Sequence, residues 1–254
     1  MGPLTVLVVG LAVLIGISLG LLGGGGSILA VPLLAYVAGM EPQEAVAGSL
    51  FVVAVTSAVS LITHARRGHV QWRIGTLFGA ASMIGAFAGG LIGGRIPGAA
   101  LMIAFSLMML ATAAAMLRRR RKSSSPSSGR KGAAHHWWRI LIDGSVVGLV
   151  TGMVGAGGGF LVVPALALLA GLTMPAAVGT SLMVITMKSV AGLGGYLTTV
   201  TLDWALILMA TAAAVAGALL GSQFTDRIPE TRLRRAFGIF VLVMGGLVLT
   251  MELI

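Results

Sequence analysis

Apolar stretches of membrane-spanning length constrain this chain more than any other feature. Six of them are separated by short polar segments, and they lie near residues 43–64, 74–94, 98–117, 175–197, 204–223 and 233–253. A helix needs about 20 apolar residues to cross a bilayer. Only 9% of the 254 residues are charged, whereas about 25% are charged in a soluble domain. The chain is therefore predicted to be an all-α polytopic membrane protein.

The two halves of the chain repeat one another at a constant offset. Trp72 and Trp204 lie 132 positions apart, and the same offset carries residues 95–97 (Arg-Ile-Pro) onto residues 227–229 (Arg-Ile-Pro). Glycine-rich membrane helices match one another easily by chance. A gap-free offset through tryptophan and Arg-Ile-Pro is not expected by chance, so the chain is predicted to contain two repeats.

The segment 118–139 joins the two repeats. It carries eight of the 17 Lys and Arg residues and no acid, and its centre is rich in Ser, Pro and Gly. This composition is typical of a flexible linker, and the positive-inside rule places such a basic loop in the cytoplasm. We therefore predict a first membrane repeat at 1–117, a basic cytoplasmic linker and a second membrane repeat at 140–254. Because the charge is concentrated in this loop, nucleic-acid binding is not expected.

Positive charge changes sides between the repeats. The first repeat has Arg66, Arg67 and Arg73 where the second has no charge, and the second repeat gains Arg232, Arg234 and Arg235. This exchange favours inverted-topology repeats. Each repeat is then a Gly-broken helical hairpin, at 4–39 or 141–171, followed by three transmembrane helices. The hairpins either span the bilayer or re-enter from one side, whereas parallel repeats would make each region one broken span.

Each hairpin region contains a glycine cluster. Consecutive glycines disfavour a helix, and a break at membrane depth is tolerated only against protein or a water-filled cavity. Free backbone N–H groups after the break favour an anion. We therefore predict an anion-binding role for the clusters, with close helix packing as the alternative. The predicted substrate-binding residues here are Gly24, Gly25, Gly26, Ser27, Gly157, Gly158 and Gly159.

Ser49, Thr180, Ser181 and Lys188 complete the predicted substrate site. Serine and threonine hydroxyls can donate to an oxyanion, although in membranes they also bond to their own helix backbone. Lys188 is the only charge well within a predicted span. It could neutralise an anion or couple transport to a proton, and the alternative is snorkelling to the interface. The residue at the matching position of the other repeat, which we call its repeat mate, is Thr56.

No cofactor, metal or catalytic residue is predicted. The chain has no cysteine, which excludes disulfides and thiol chemistry. It also lacks a Walker A motif, so it does not hydrolyse ATP by that route. Residues 179–182 (Gly-Thr-Ser-Leu) formally fit a serine-hydrolase pattern, but His64 is the only candidate base near a span.

The repeated Gly-rich segment followed by proline, the Gly-Thr-Ser-Leu element and the two halves joined by a basic loop resemble the TauE/SafE family of bacterial membrane permeases. The resemblance covers residues 4–253. It implies a secondary transporter of the bacterial inner membrane that exports sulfite or a related small organosulfonate, with a small-anion channel as the alternative. Proton or ion coupling and a homodimer are further expectations. The first half reads Ala-Gly-Ser instead of Gly-Thr-Ser, so the second repeat is expected to contribute more to substrate contact.

Overall fold

The computed structural model describes residues 3–22, 25–118, 137–155, 162–163, 166, 172–224 and 230–253. Within these ranges the secondary structure is helical. Helix α1 spans Pro3–Leu22, and a short helical segment follows it, consisting of a 3₁₀ turn at Gly25–Leu29, helix α2 at Ala30–Pro32 and a π-helical turn at Leu33–Val37. The remaining long helices are α3 Pro42–Arg66, α4 Trp72–Gly93, α5 Gly98–Arg118, α6 Trp137–Val154, α7 Met174–Tyr196, α8 Trp204–Phe224 and α9 Glu230–Leu253.

Several helices are suited to a membrane. Four stretches of the described chain are long and apolar enough to cross it, namely Pro42–Arg66, Trp72–Gly93, Pro175–Tyr196 and Trp204–Ser222. Helices α5 and α9 occupy the other two predicted spans. The prediction of an all-α polytopic membrane protein is thus confirmed.

The first glycine-containing region doubles back on itself. Ala12 and Ile15 of α1 share an apolar cluster with Leu33, whereas Leu19, one turn further along α1, shares a cluster with Ala30. The partner residue number falls as the α1 residue number rises, so the two segments run antiparallel. This arrangement is the one expected of a hairpin that enters and leaves on one side.

Helix pairing stays the same when the two halves are exchanged. The predicted offset matches α1 with α6, α3 with α7, α4 with α8 and α5 with α9. Helix α4 packs against α6, and the corresponding pair, α8 and α1, is also in contact. Helix α4 packs against α7 as well, and the corresponding pair, α8 and α3, is in contact too. The remaining major pairs, α3 with α7 and α5 with α9, each join two repeat mates. The pairing of the helices is therefore unchanged under the predicted offset, and the repeat stays a prediction.

Glycines form the closest helix crossings, and they do so at matched positions. A Cβ on Gly85 of α4 would lie 2.8 Å from the backbone nitrogen of Leu149 on α6. A Cβ on its repeat mate Gly217 would lie 3.0 Å from the backbone nitrogen of Ile17 on α1. Only glycine allows backbones to approach this closely. Close packing of small residues therefore accounts for these glycines.

The central helices α3 and α7 run antiparallel. Leu50, early in α3, faces the end of α7, where a Cβ on Gly192 would lie 3.4 Å from Leu50 Cδ1. Leu61, late in α3, packs on the apolar cluster that contains Leu182 and Ile185, in the first half of α7. The two helices therefore cross near their middles.

Candidate functional site

Lys188 lies inside the protein, on α7. Its side chain is 2% exposed, and its ammonium Nζ donates to Thr151 Oγ1 on α6 at 2.8 Å. The Thr151 hydroxyl donates its own proton to Val147 O at 2.7 Å, so its lone pairs are available to accept. Lys188 therefore does not snorkel to an interface in this conformation.

The charge of Lys188 is not balanced locally. Within the described ranges no carboxylate pairs with its ammonium, and Thr151 is its one hydrogen-bond partner. An ammonium carries three N–H donors, so two stay available. A buried charge is costly unless a counter-charge or several hydrogen bonds compensate for it. This environment favours an anionic ligand.

The buried cation belongs to one repeat only. Its repeat mate Thr56 is also buried, but the Thr56 hydroxyl donates to Val52 O of its own helix at 2.6 Å. The repeat mate of Thr151 is Leu19, which packs in an apolar cluster. The second half of the chain therefore supplies this buried charge.

Ser49 contacts the second glycine cluster. Its Oγ lies 2.7 Å from Gly155 O and 2.7 Å from Val46 O. Gly155 follows the end of α6 with a φ of +74°, and a Cβ there would lie 2.9 Å from Val46 Cβ. Both the positive φ and the close approach require glycine. A serine of the first half thus holds the helix break of the second half.

The other two predicted hydroxyls bond to the protein itself. Ser181 Oγ donates to Val178 O of its own helix at 2.7 Å. Thr180 Oγ1 accepts the backbone N–H of Gln71, in the loop between α3 and α4, at 3.0 Å. Bonding to the backbone of its own helix, the alternative interpretation, is therefore present for Ser181, whereas the Thr180 hydroxyl accepts from a different segment. Since Ser181 gives its single proton to Val178, it does not form the hydroxyl–base pair that a hydrolase requires.

The first glycine cluster coincides with a helix break. Helix α1 ends at Leu22, Gly25 and Gly26 begin the 3₁₀ turn, and Ser27 is completely buried. Helix α6 likewise ends at Val154, directly before the second cluster. Four predicted site residues lie outside the described residues, namely Gly24, Gly157, Gly158 and Gly159. The same holds for positions 119–136 of the predicted linker 118–139.

Buried serines are the polar residues that the sequence analysis missed. Within the described part of the chain, four buried serine hydroxyls have no hydrogen-bond partner, those of Ser57, Ser60, Ser82 and Ser189. Ser57 and Ser189 are repeat mates, and they directly follow Thr56 and Lys188. Their matched positions in the middle of two long apolar spans are a signal that could have identified them.

An open polar groove of about 370 Å³ lies where the start of α3, the end of α4 and the α7–α8 loop meet. Two carboxylates, Glu41 and Glu44, line it together with the side chains of Gln43, Thr199 and Thr201. This groove is at the opposite end of α3 from Arg66 and Arg67, so the two ends of this helix differ in charge.

Multi-pass apolar helices, matched helix breaks and an unbalanced buried cation together define a membrane transporter. The chain belongs to the TauE/SafE family, since the family described as "Sulfite exporter TauE/SafE" matches residues 8–248. A "Probable membrane transporter protein" of Xylella fastidiosa (strain 9a5c) is 34% identical over 253 residues, which cover 94% of this chain and 93% of that relative. The "Probable membrane transporter protein YdhB" of Bacillus subtilis (strain 168) is 27% identical over 236 residues, which cover 93% and 96% of the two chains. No solved structure gives a significant match.

Proposed function

We propose that this protein is a secondary transporter that exports small sulfur oxyanions, such as sulfite or sulfonates, across the bacterial inner membrane by alternating access. The observation that carries the proposal is the buried ammonium of Lys188, which has spare donors and no described counter-charge. The description of the family supports a sulfur oxyanion as the ligand. Coupling to a proton or ion gradient and assembly as a homodimer belong to the same proposal.

Inverted repeats would supply the two alternating states. Repeat mates α3 and α7 run antiparallel. Helices α4 and α6 run parallel, as shown by the approach of Gly85 to Leu149 and of Gly89 to Met153. Antiparallel repeat mates are what two halves of opposite topology produce. Rocking one such half against the other would expose a central site to each face in turn.

The distribution of charge supports a cytoplasmic linker. Given these helix directions, one face of the bundle contains two sets of helix ends. Helices α3, α5 and α8 end there, and helices α4, α6, α7 and α9 begin there. All of the 17 Lys and Arg residues lie at or between these helix ends, except Arg95 and Lys188. By the positive-inside rule this face is cytoplasmic.

The charges at the two faces favour loading of an anion from the cytoplasm. The outer groove carries Glu41 and Glu44, which lower the local concentration of anions. Thr199 in that groove has Arg67 as its repeat mate, at the cytoplasmic face, where positive charge raises the local concentration of anions. An anion is therefore captured more readily from the cytoplasm than from outside.

The test is flux of sulfite through purified protein in liposomes. We expect saturable flux that unlabelled sulfite on the opposite side accelerates, as in exchange by a carrier. Lys188→Met should abolish this flux, and Thr56→Ala, which changes the uncharged repeat mate, should preserve it. If sulfite neither binds nor crosses, the proposed substrate is wrong. Normal flux in Lys188→Met would overturn the role of that residue. Non-saturable flux without exchange would favour a channel over a carrier.

A further inference from the structure

Ser57 and Ser189 are buried hydroxyls without described partners. Both residues are 0% exposed, and neither Oγ has a hydrogen-bond partner within the described ranges. Buried polar groups in native proteins are nearly always hydrogen-bonded, because an unpaired one destabilises the fold. Of the four unpaired serines, these two occupy matched positions in the two halves, whereas Ser60 and Ser82 correspond to Gly192 and Ala214. This recurrence indicates a ligand that the fold is built to accept.

Both serines lie on the faces by which α3 and α7 pack together. Ser57 follows Val53 by four residues and Ser189 follows Ile185 by four residues, and Val53 and Ile185 share one apolar cluster. Residues four apart lie on the same side of a helix. Leu50 lies near Gly192 of α7, and Leu61 packs on the cluster that contains Ile185, so the middle of the crossing lies near these serines.

Lys188 places one positive charge beside this crossing. It is adjacent to Ser189, and its ammonium has two donors beyond the one that binds Thr151. In sequence, the charged residues and the histidine of the helices packed against α7 lie towards the helix ends. They are Glu44, His64 and Arg66 on α3, Arg73 on α4, and Arg139 and Asp143 on α6. The crossing itself therefore combines a single cation with two neutral hydroxyls.

We propose that Lys188 Nζ and the hydroxyls of Ser57 and Ser189 hold a monovalent oxyanion at the crossing of α3 and α7, and that this charge match selects monoanions over dianions. The inference rests on the proposed function and adds to it two binding residues and the charge of the ligand. One ammonium neutralises a monoanion. A dianion would keep a net charge in a medium of low dielectric constant, which is unfavourable. Sulfite exists in both charge states near neutral pH, an alkylsulfonate is a monoanion, and sulfate is a dianion.

The experiment measures sulfite flux through the full chain in liposomes with methanesulfonate or sulfate as competitor. Methanesulfonate should inhibit, whereas sulfate at the same concentration should not. Ser57→Ala and Ser189→Ala should each raise the KM for sulfite about tenfold, as expected for a lost hydrogen bond to a charged ligand. Ser106→Ala is the matched control, because this buried hydroxyl on α5 donates to Ile103 O at 2.8 Å and lies away from the crossing.

Stability separates binding from folding. Because the two hydroxyls are unpaired, Ser57→Ala and Ser189→Ala should melt at the same temperature as the parent protein or higher. Lower melting temperatures in both variants, or an unchanged KM in the double variant, would overturn the role of the serines. Equal inhibition by sulfate and methanesulfonate would overturn the charge selection. Absence of sulfite flux in the parent protein would instead refute the proposed function.

Discussion

Substitution of Gly85 by alanine tests the close crossing of α4 and α6. The new Cβ would overlap the carbonyl oxygen of Ser145, and it would lie 2.8 Å from the backbone nitrogen of Leu149. Because favourable contacts between heavy atoms lie at about 3.5–4.0 Å, the two backbones would have to separate by more than about 1 Å. Overpacking of this kind costs about 1–3 kcal/mol. In a chain of this length such a loss lowers the melting temperature by roughly 2–12 °C.

Gly217→Ala is the matched change in the second repeat, and it should have a similar effect, since its Cβ would lie 3.0 Å from a backbone nitrogen of α1. Gly10→Ala and Gly246→Ala are the controls, because neither Cβ would have an atom within 4 Å. These two should melt at the parent temperature or above it, since alanine favours a helix over glycine by about 1 kcal/mol. The assay is thermal unfolding of the detergent-solubilised protein. Equal melting temperatures for Gly85→Ala and Gly10→Ala would refute the close crossing.

Three further changes test single interactions. Ser49→Ala should lower the free energy of unfolding by about 1 kcal/mol, because it removes the hydrogen bond to the second helix break. Thermal unfolding should show a smaller loss for Ser181→Ala, because Ser181 bonds only within its own helix. Thr151→Val should destabilise the folded protein by about 1–3 kcal/mol, because the ammonium of Lys188 loses its hydrogen-bond acceptor. Addition of Lys188→Met to this variant should restore the melting temperature. Additive losses in the double variant would argue against an interaction between the two side chains. Glu44→Gln should lower the KM for sulfite uptake from the outer face by about twofold at low salt and have no effect at high salt, and a salt-independent result would contradict the charge argument.

The helix breaks and the buried cation were predictable from the sequence. Consecutive glycines disfavour a helix strongly enough that α1 ends at Leu22 and α6 ends at Val154, directly before the two clusters. Lys188 was identifiable because lipid does not solvate a charge in the middle of a span, which leaves the protein interior as its location. The offset of 132 residues likewise predicted which helices correspond, and the exchangeable helix pairs agree with it.

The use of individual hydroxyls was not predictable in the same way. Ser49 and Ser181 occupy matched positions, yet Ser49 reaches a helix break in the other half while Ser181 bonds only within its own helix. Local sequence reports whether a hydroxyl can donate, but its partner depends on the neighbouring helix. For this reason the unpaired Ser57 and Ser189 came from the structure.

The sequence by itself determined the apolar helices, their breaks and the interior position of Lys188, and it predicted a repeat. Tertiary structure decided which face of each helix is buried. On α4, Phe78 is 2% exposed and Ile84 is 75% exposed, although both are large and apolar. Lipid solvates apolar side chains as well as a protein core does, so hydrophobic periodicity does not mark the packed face of a membrane helix. The pairing of Lys188 with Thr151, 37 residues away, therefore emerged only from the packing of α6 against α7.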